Sequence, residues 1–505
     1  MNIRERYDSF NLRKRFNHRF QMRADSSHGD DALKLDRRNS DQFDTLFESL
    51  FLIGSFPWEN EDDKRILFKY PSINENDNSI VPFCFPTDNN FFIEKIHSNE
   101  FYKTHLIDDN NIHNSKFFPL YFPSDEDSPY VFCLSFYASI FNLPSFIDEF
   151  EFSDALSYFK KDGHLIHSRL CLCVKTKLPF HSLFHSFLIW ILRCEIIGRM
   201  TVFADVCDFF ATNSFDISNN FWPLQHKNEL LTILMNFSAY PVPFPNETLV
   251  IDKRPFPPFS WKRPDDSMTI FPIAKIASIH LLSNINIDNF KKLFFSVLLE
   301  KTIIIYSKDI EDISWLILTL HYLIRPLKWV SVSVSLLPKQ LYELLDAPNP
   351  IIAGVTDNLF DLSNSASKFD DTKDETNINP TNFFFYDTQK QHILYNYEIP
   401  LAPQESIFSD DISRCWKSST SFTSILTLSN HFVSTILKVI DSCIMSNISD
   451  IENPSSIFME ELFLQNFPIQ ERPFLSLMAS TQMFQFFVEQ QCLKRSKRNS
   501  IKRKQ

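Results

Sequence analysis

Apolar residues along this chain change their spacing near its middle. In the N-terminal part they form short runs broken by proline and asparagine. "FDTLFESLFLIGSFPW" and "RILFKYPS" (Arg65 to Ser72) suit strands, and "SIVPFCFPTD" (Ser79 to Asp88) follows. "FFPLYFPSDEDSPYVFCLSFY" (Phe117 to Tyr137) reads as a hairpin, two aromatic runs around a polar turn at Ser124–Ser128. "SRLCLCVKTKLPF" predicts another strand, after which Pro179 opens a helix. Leu183, Phe184, Phe187, Leu188, Trp190, Ile191 and Leu192 make that helix apolar enough to be buried. Residues 44–200 are therefore expected to form an α+β lobe, a small antiparallel sheet with helices. Seven prolines between Pro241 and Pro264 stop any long helix, so 201–275 is expected to be a helical and proline-rich connection.

Farther on, helical and strand periods take turns. "NIDNFKKLFFSVLLEK" is an amphipathic helix, and "TIIIYS" (Thr302 to Ser307) suits a strand buried on both faces. Asp309 can cap the next helix, whose Ile310, Ile313, Leu316, Ile317, Leu320 and Leu323 share one face and which Pro326 ends. "WVSVSVS" alternates as a half-buried strand, Pro338 starts a short helix, and "IIAGV" (Ile351 to Val355) is the third strand. The order βαβαβ predicts an α/β lobe of parallel strands over 276–490. It is interrupted by a polar loop at 356–380. "TNFFFYDTQKQHILYN" then reads as two strands around Asp387, Thr388 and Gln389, and 412–491 as helical. Within "IIAGV", Gly354 marks a bulge or a close backbone approach.

Charge sharpens the ends. The chain carries −12 in total, but residues 1–23 carry +5 and 494–505 carry +7, leaving an acidic body. Both segments, 1–43 and 491–505, are expected to be disordered and basic. The acidic body excludes broad nucleic-acid binding, and only the tails could meet phosphate or anionic lipid. "KRSKRNSIKRKQ" suits either a nuclear signal or a membrane-surface anchor. No stretch resembles a secretory signal or an apolar span, and nine scattered cysteines suit a reducing cytoplasm. The 54 phenylalanines are read as a composition bias, Phe filling core positions that other apolar residues usually hold.

Five isolated glycines cannot write a Walker loop, a dinucleotide fingerprint or a nucleophile elbow. His181 and His185 have zinc-ligand spacing but lack a third ligand, so no metal, cofactor or small-molecule substrate is expected. The acidic runs "SDEDS" and "FDDTKDE" suit solvated loops. Open α/β sheets bind ligands beyond the C-terminal ends of their strands. That rule selects Ser307, Lys308 and Asp309 after the first strand and Thr356, Asp357 and Asn358 after the third.

The order of these pieces resembles the DENN domain, a tripartite module of exchange factors for Rab-type small GTPases. "ILFKYP" and "VPFCFP" resemble its opening strands, "SPYVFCLSFY" its aromatic hairpin strand, and "LCLCVKTKLPFHSLFHSFL" the strand and helix after it. The segment from "LLEKTIIIYS" through "LLPKQLYELLDAPNPIIAGV" resembles its core, and "STQMFQFF" (Ser480 to Phe487) its closing helix. The resemblance spans residues 44–490. It implies a longin-like first lobe and a doubly wound parallel α/β second lobe that together hold a Rab-family GTPase and open its nucleotide site. No covalent step and no cofactor are implied. It also implies a cytoplasmic protein of vesicle trafficking, peripheral on membranes. Two alternatives stay open: a scaffold or effector that binds a Rab without exchange, and a GTPase activator using Arg169 or Arg193.

Overall fold

The apolar strands of the N-terminal part pair into one antiparallel sheet. The computed structural model describes residues 45–55, 64–71, 77–85, 91–95, 114–123, 129–139, 164–210, 224–252, 256–265, 285–359, 382–417, 422–447 and 455–504, and every structural statement concerns these. The expected disorder of 1–43, the turn Ser124–Ser128 and most of the 356–380 loop lie outside them.

Strands β1 (Ser49–Gly54), β2 (Arg65–Tyr70), β3 (Phe91–Lys95), β4 (Lys116–Tyr121), β5 (Tyr130–Ser139) and β6 (His164–Thr176) form the sheet. Its order is β2-β1-β6-β5-β4, with β3 also on β6. The long β6 carries β1 against its second half and β3 against its first, while β5 runs along its other edge. The expected hairpin is β4–β5. "VPFC" is a turn of helix, Val81–Cys84, where a strand was expected. Pro82 fits the first helical turn, where no N–H is needed.

Helix α1 (His181–Phe210) follows Pro179 and runs past residue 200. It packs on α2 (Leu224–Ala239), with Phe187 and Phe237 stacked 3.6 Å apart. The proline-rich stretch folds into a hairpin, β7 (Thr248–Ile251) and β8 (Phe259–Lys262). Two indoles fix it to α1: Trp190 donates to the Pro257 carbonyl at 2.8 Å and Trp261 to Ser182 Oγ at 3.1 Å.

The second sheet follows the alternation read from the sequence. Asn286 caps α3 (Ile287–Leu298), accepting from the Asn289 N–H at 2.9 Å. Strand β9 (Thr302–Tyr306) is buried throughout. Each isoleucine removed from water there contributes about 1.5–3 kcal/mol. Asp309 caps α4 (Ile310–Leu323), accepting from the Glu311 N–H at 3.0 Å. Then come β10 (Val332–Val334), a 3-10 helix (Lys339–Asp346) entered from Pro338, and β11 (Ile351–Val355). With β12 (Phe383–Asp387) and β13 (His392–Tyr395) the sheet order is β10-β11-β9-β12-β13. All neighbours are parallel except β12–β13. The fold is α/β.

Helices begin at Glu405, earlier than the pattern predicts: α5 (Glu405–Lys417), α6 (Phe422–Leu437), α7 (Arg472–Ala479) and α8 (Gln482–Lys504). A small hairpin, β14 (Ile444–Asn447) with β15 (Ser455–Phe458), interrupts them. Phenylalanines join this part to α3: Phe294 stacks on Phe408 at 5.4 Å, Phe408 meets Phe432 at 4.8 Å, and Phe295 meets Phe474 at 5.7 Å. The C-terminal basic segment expected to be disordered continues α8 to Lys504. It holds no Gly or Pro, and Gln, Lys and Arg are good helix formers.

Two sequence blocks meet at α8. Glu300, at the turn between α3 and β9, accepts from the Gln482 N–H at the helix start. It does so from φ 51°, a backbone conformation costly for a residue with a side chain. Thr481 adds a cap, accepting from the Phe484 N–H at 3.3 Å.

Gly354 is a close approach. A Cβ there would strike Ile313 of α4 and the Ser335 carbonyl, and its own carbonyl accepts from Leu337 N–H at 2.7 Å. Gly354→Ala is expected to cost about 1–3 kcal/mol through overpacking. Urea unfolding should show a lower midpoint at an unchanged slope; an unchanged midpoint would contradict the close approach.

Candidate functional site

Strand β4 lies at the edge of the first sheet, and its outward backbone groups meet the second lobe. Phe117 N–H donates to Glu311 Oε1 at 2.6 Å, and Phe117 C=O accepts from Trp315 Nε1 at 3.2 Å. Two pairs farther along, Tyr121 N–H donates to Ser335 Oγ at 3.2 Å. Between them sits Pro119, which by the alternation of an antiparallel ladder shares this outward side and has no N–H to satisfy. Helix α4 thus lies between the two sheets. Its Tyr322 hydroxyl lies 3.1 Å from that of Tyr130. Its Trp315 ring also packs on Phe117 and His181.

All six residues selected from the sequence lie at one end of the second sheet, because β9 and β11 are parallel neighbours. Ser307 and Thr356 are buried. Ser307 links the two strands through its N–H to the Val355 carbonyl at 3.3 Å. Its Oγ accepts from the Asp309 N–H at 3.1 Å. Asp309, besides capping α4, pairs with Lys116 of β4 at 2.8 Å. Burial opposes the charge on Lys116, yet Asp309 and Glu311 hold its pKa above the ordinary lysine value. Asp357 pairs with Lys339 at 3.4 Å and accepts from the Tyr342 hydroxyl at 3.2 Å. Burial and then the Asp357 charge push the Tyr342 phenol up. Lys308 is exposed, and Asn358 is half-buried.

The selection from sequence missed Lys116, Glu311, Lys339 and Tyr342. Lys116 and Glu311 have no local signal, since the contact joins residues 193 or more positions apart. Asp387 also belongs to this end, because β12 is parallel to β9; it is buried and accepts from the Gln389 and Lys390 N–H groups. The result is a rim of charged and hydroxyl side chains at the lobe junction, held by partners from both lobes.

Other candidates fall elsewhere. His181 and His185 set their rings against Trp315 and Phe117, as packing groups of the lobe contact. Arg169 donates to Ser135 Oγ at 3.0 Å and lies over Phe85 within the first lobe, whereas Arg193 is exposed on α1. Four cysteines that look scattered in sequence, Cys84, Cys133, Cys171 and Cys173, converge inside the first lobe. The only sequence trace of this was the alternation of Cys171 and Cys173. Among the described residues, no helix is long and apolar enough to cross a membrane.

These features define an α/β protein whose two larger sheets are joined through one helix. Residues 167–372 match the profile of the DENN (AEX-3) domain. The matched segment begins inside β6 and includes β9 to β11, strands whose sheets are completed by β1 to β5 on one side and by β12 and β13 on the other. The chain is 26% identical over 312 residues to the MAP kinase-activating death domain protein of Caenorhabditis elegans, covering 59% of this chain and 21% of that protein. It is 34% identical over 103 residues to the DENN domain and WD repeat-containing protein SCD1 of Arabidopsis thaliana, covering 20% of this chain and 8% of that protein. The chain therefore spans a minor part of the length of these relatives.

One titrating group reports on the junction. His321 of α4 stands edge-on to Tyr121 at 4.8 Å, its Nε2 2.8 Å from Ser333 Oγ. Burial, then the Arg325 charge, lowers its pKa to about 3. The unfolded chain takes up this proton near the ordinary value of about 6.5, so the contribution to stability is complete above that and is lost as pH falls toward 3. His321→Gln keeps an amide for Ser333 and removes the proton site. Its Tm should fall less than that of the wild type between about pH 7 and pH 4.5. Parallel Tm profiles would contradict a buried neutral imidazole.

Proposed function

We propose that this chain is a guanine nucleotide exchange factor for a Rab-type small GTPase. The observation that carries the proposal is the DENN domain at 167–372, set in a two-lobed α/β framework. An exchange factor is a ligand for the nucleotide-free state of its GTPase. It speeds GDP loss by its higher affinity for a conformation in which GDP is held poorly, so differential binding is the whole mechanism. Nothing in that mechanism needs a cofactor or a covalent step. The contact surface includes Lys308, Asp309, Asp357 and Asn358 at the lobe junction, with the buried Ser307 and Thr356 beneath them as supports. Of these, Lys308 reaches farthest into solvent and is the best probe. The protein works in the cytoplasm, with the basic end of α8 touching the anionic face of vesicle membranes.

Release of a fluorescent GDP analogue and hydrolysis of GTP should be followed across a panel of Rab proteins. At least one Rab is expected to lose GDP about tenfold or more faster, and Lys308→Glu should reduce that effect several-fold at an unchanged Tm. Faster hydrolysis without faster release would make the chain an activator, with Arg169 or Arg193 to test. Tight binding of GTP-loaded Rab with neither effect would make it a scaffold. Either result, or no Rab bound in any nucleotide state, would overturn the exchange reading.

A further inference from the structure

The four cysteines of the first lobe form a cage. Cys171 and Cys173 are two apart on β6, so their side chains leave the same face of the sheet. Cys133 of β5 lies directly opposite Cys173 in the antiparallel register. Cys84 ends the short helix Val81–Cys84 and comes down on the same face from 89 residues earlier in the chain. The Sγ of Cys173 is 3.4 Å from that of Cys133, 3.5 Å from that of Cys171 and 3.7 Å from that of Cys84. All four sulfurs lie within 4.8 Å of one another, none is exposed, and none is in a disulfide.

A buried cysteine alone is ordinary, a small apolar side chain with a weak donor. The arrangement here is not a set of separate fillers. Four sulfurs from three separate segments stand within 4.8 Å of one another. The carbonyls in reach, Val131 and Cys171, stand at 3.8 and 3.9 Å from the sulfurs of Cys133 and Cys173. A tetrahedral zinc ion with Zn–S bonds of about 2.3 Å sets its sulfurs about 3.8 Å apart, so small side-chain shifts close the cage. We infer that Cys84, Cys133, Cys171 and Cys173 are the ligands of a closed structural zinc site.

Binding exchanges the thiol protons for the metal and leaves the sulfur oxidation state unchanged. A zinc tetrathiolate carries two negative charges, and the Arg169 guanidinium, over the ring of Phe85 beside Cys84, supplies a nearby counter-charge. Four protein ligands leave no open position, so the ion fastens the Val81–Cys84 turn to β5 and β6 and does no chemistry.

The full chain, expressed with zinc in the medium and purified in a mild reductant without chelator, should hold about one zinc per chain by mass-spectrometric metal analysis. Cobalt in its place should give the visible bands of tetrahedral cobalt–thiolate coordination. Cys133→Ser and Cys171→Ser should each lower bound metal about tenfold, and Cys492→Ser, outside the cage, should not. Because a ligand variant can fail to fold, the wild type alone also decides. Titration with a mercurial should release its zinc into a colorimetric indicator as the four cage thiolates are capped, four S–Hg bonds formed for each zinc lost. Wild-type protein with under about a tenth of an equivalent of metal and no cobalt–thiolate bands would overturn the site. An intact mass short of two or four hydrogens would do so as well, by showing disulfides in its place.

Discussion

The free edge of β4 governs how the two halves of this molecule are joined. A sheet edge buried without partners leaves each N–H and C=O unsatisfied at a cost of about 1–3 kcal/mol. Here the second lobe answers the edge group by group, with Glu311 and Ser335 accepting and Trp315 donating. Proline at position 119 removes the intermediate donor. A slip of one pair of residues along the strand would bring Glu311 opposite that proline and strand its carboxylate. The docking therefore has a register, as strand pairing does, although one partner is a helix.

Under the proposed exchange function, a registered contact of this kind would give the partner one fixed surface at the lobe junction. The rim at the C-terminal ends of β9 and β11 draws a lysine from β4, so its shape follows from the docking. A partner binding across it meets geometry that is already fixed and spends less free energy ordering the surface.

Much of the second lobe was legible because its signals are local. "TIIIY" between two helical periods, Asp309 before Ile310, and Pro326 after the helix each act within a few residues. The candidate residues after β9 and β11 came together for the same reason, since parallel neighbours align their ends. What was not legible depends on distance along the chain. Glu311 gives no sign that it will meet Phe117 N–H, and Cys84 none that it will meet Cys173. "VPFC" is too short for any period to separate helix from strand. "SSIF" becomes a strand only because "IMSN" lies beside it. The basic C-terminal segment reads as a tail by charge, while its lack of helix breakers is the weaker signal and the one the structure follows.

Glu300 has a consequence for the order in which the protein is made. Its carboxylate is set in a buried turn that leads into the central strand, yet its partner, the Gln482 N–H, lies 182 residues later. A nascent chain that has finished β9, β11 and β12 still carries an uncompensated acid at that turn until α8 leaves the ribosome. The central sheet can collapse early on its isoleucines, but this turn closes only after α8 is made, and a contact so distant in sequence is slow to find. During that interval the exposed carboxylate keeps water at the place where α8 will dock.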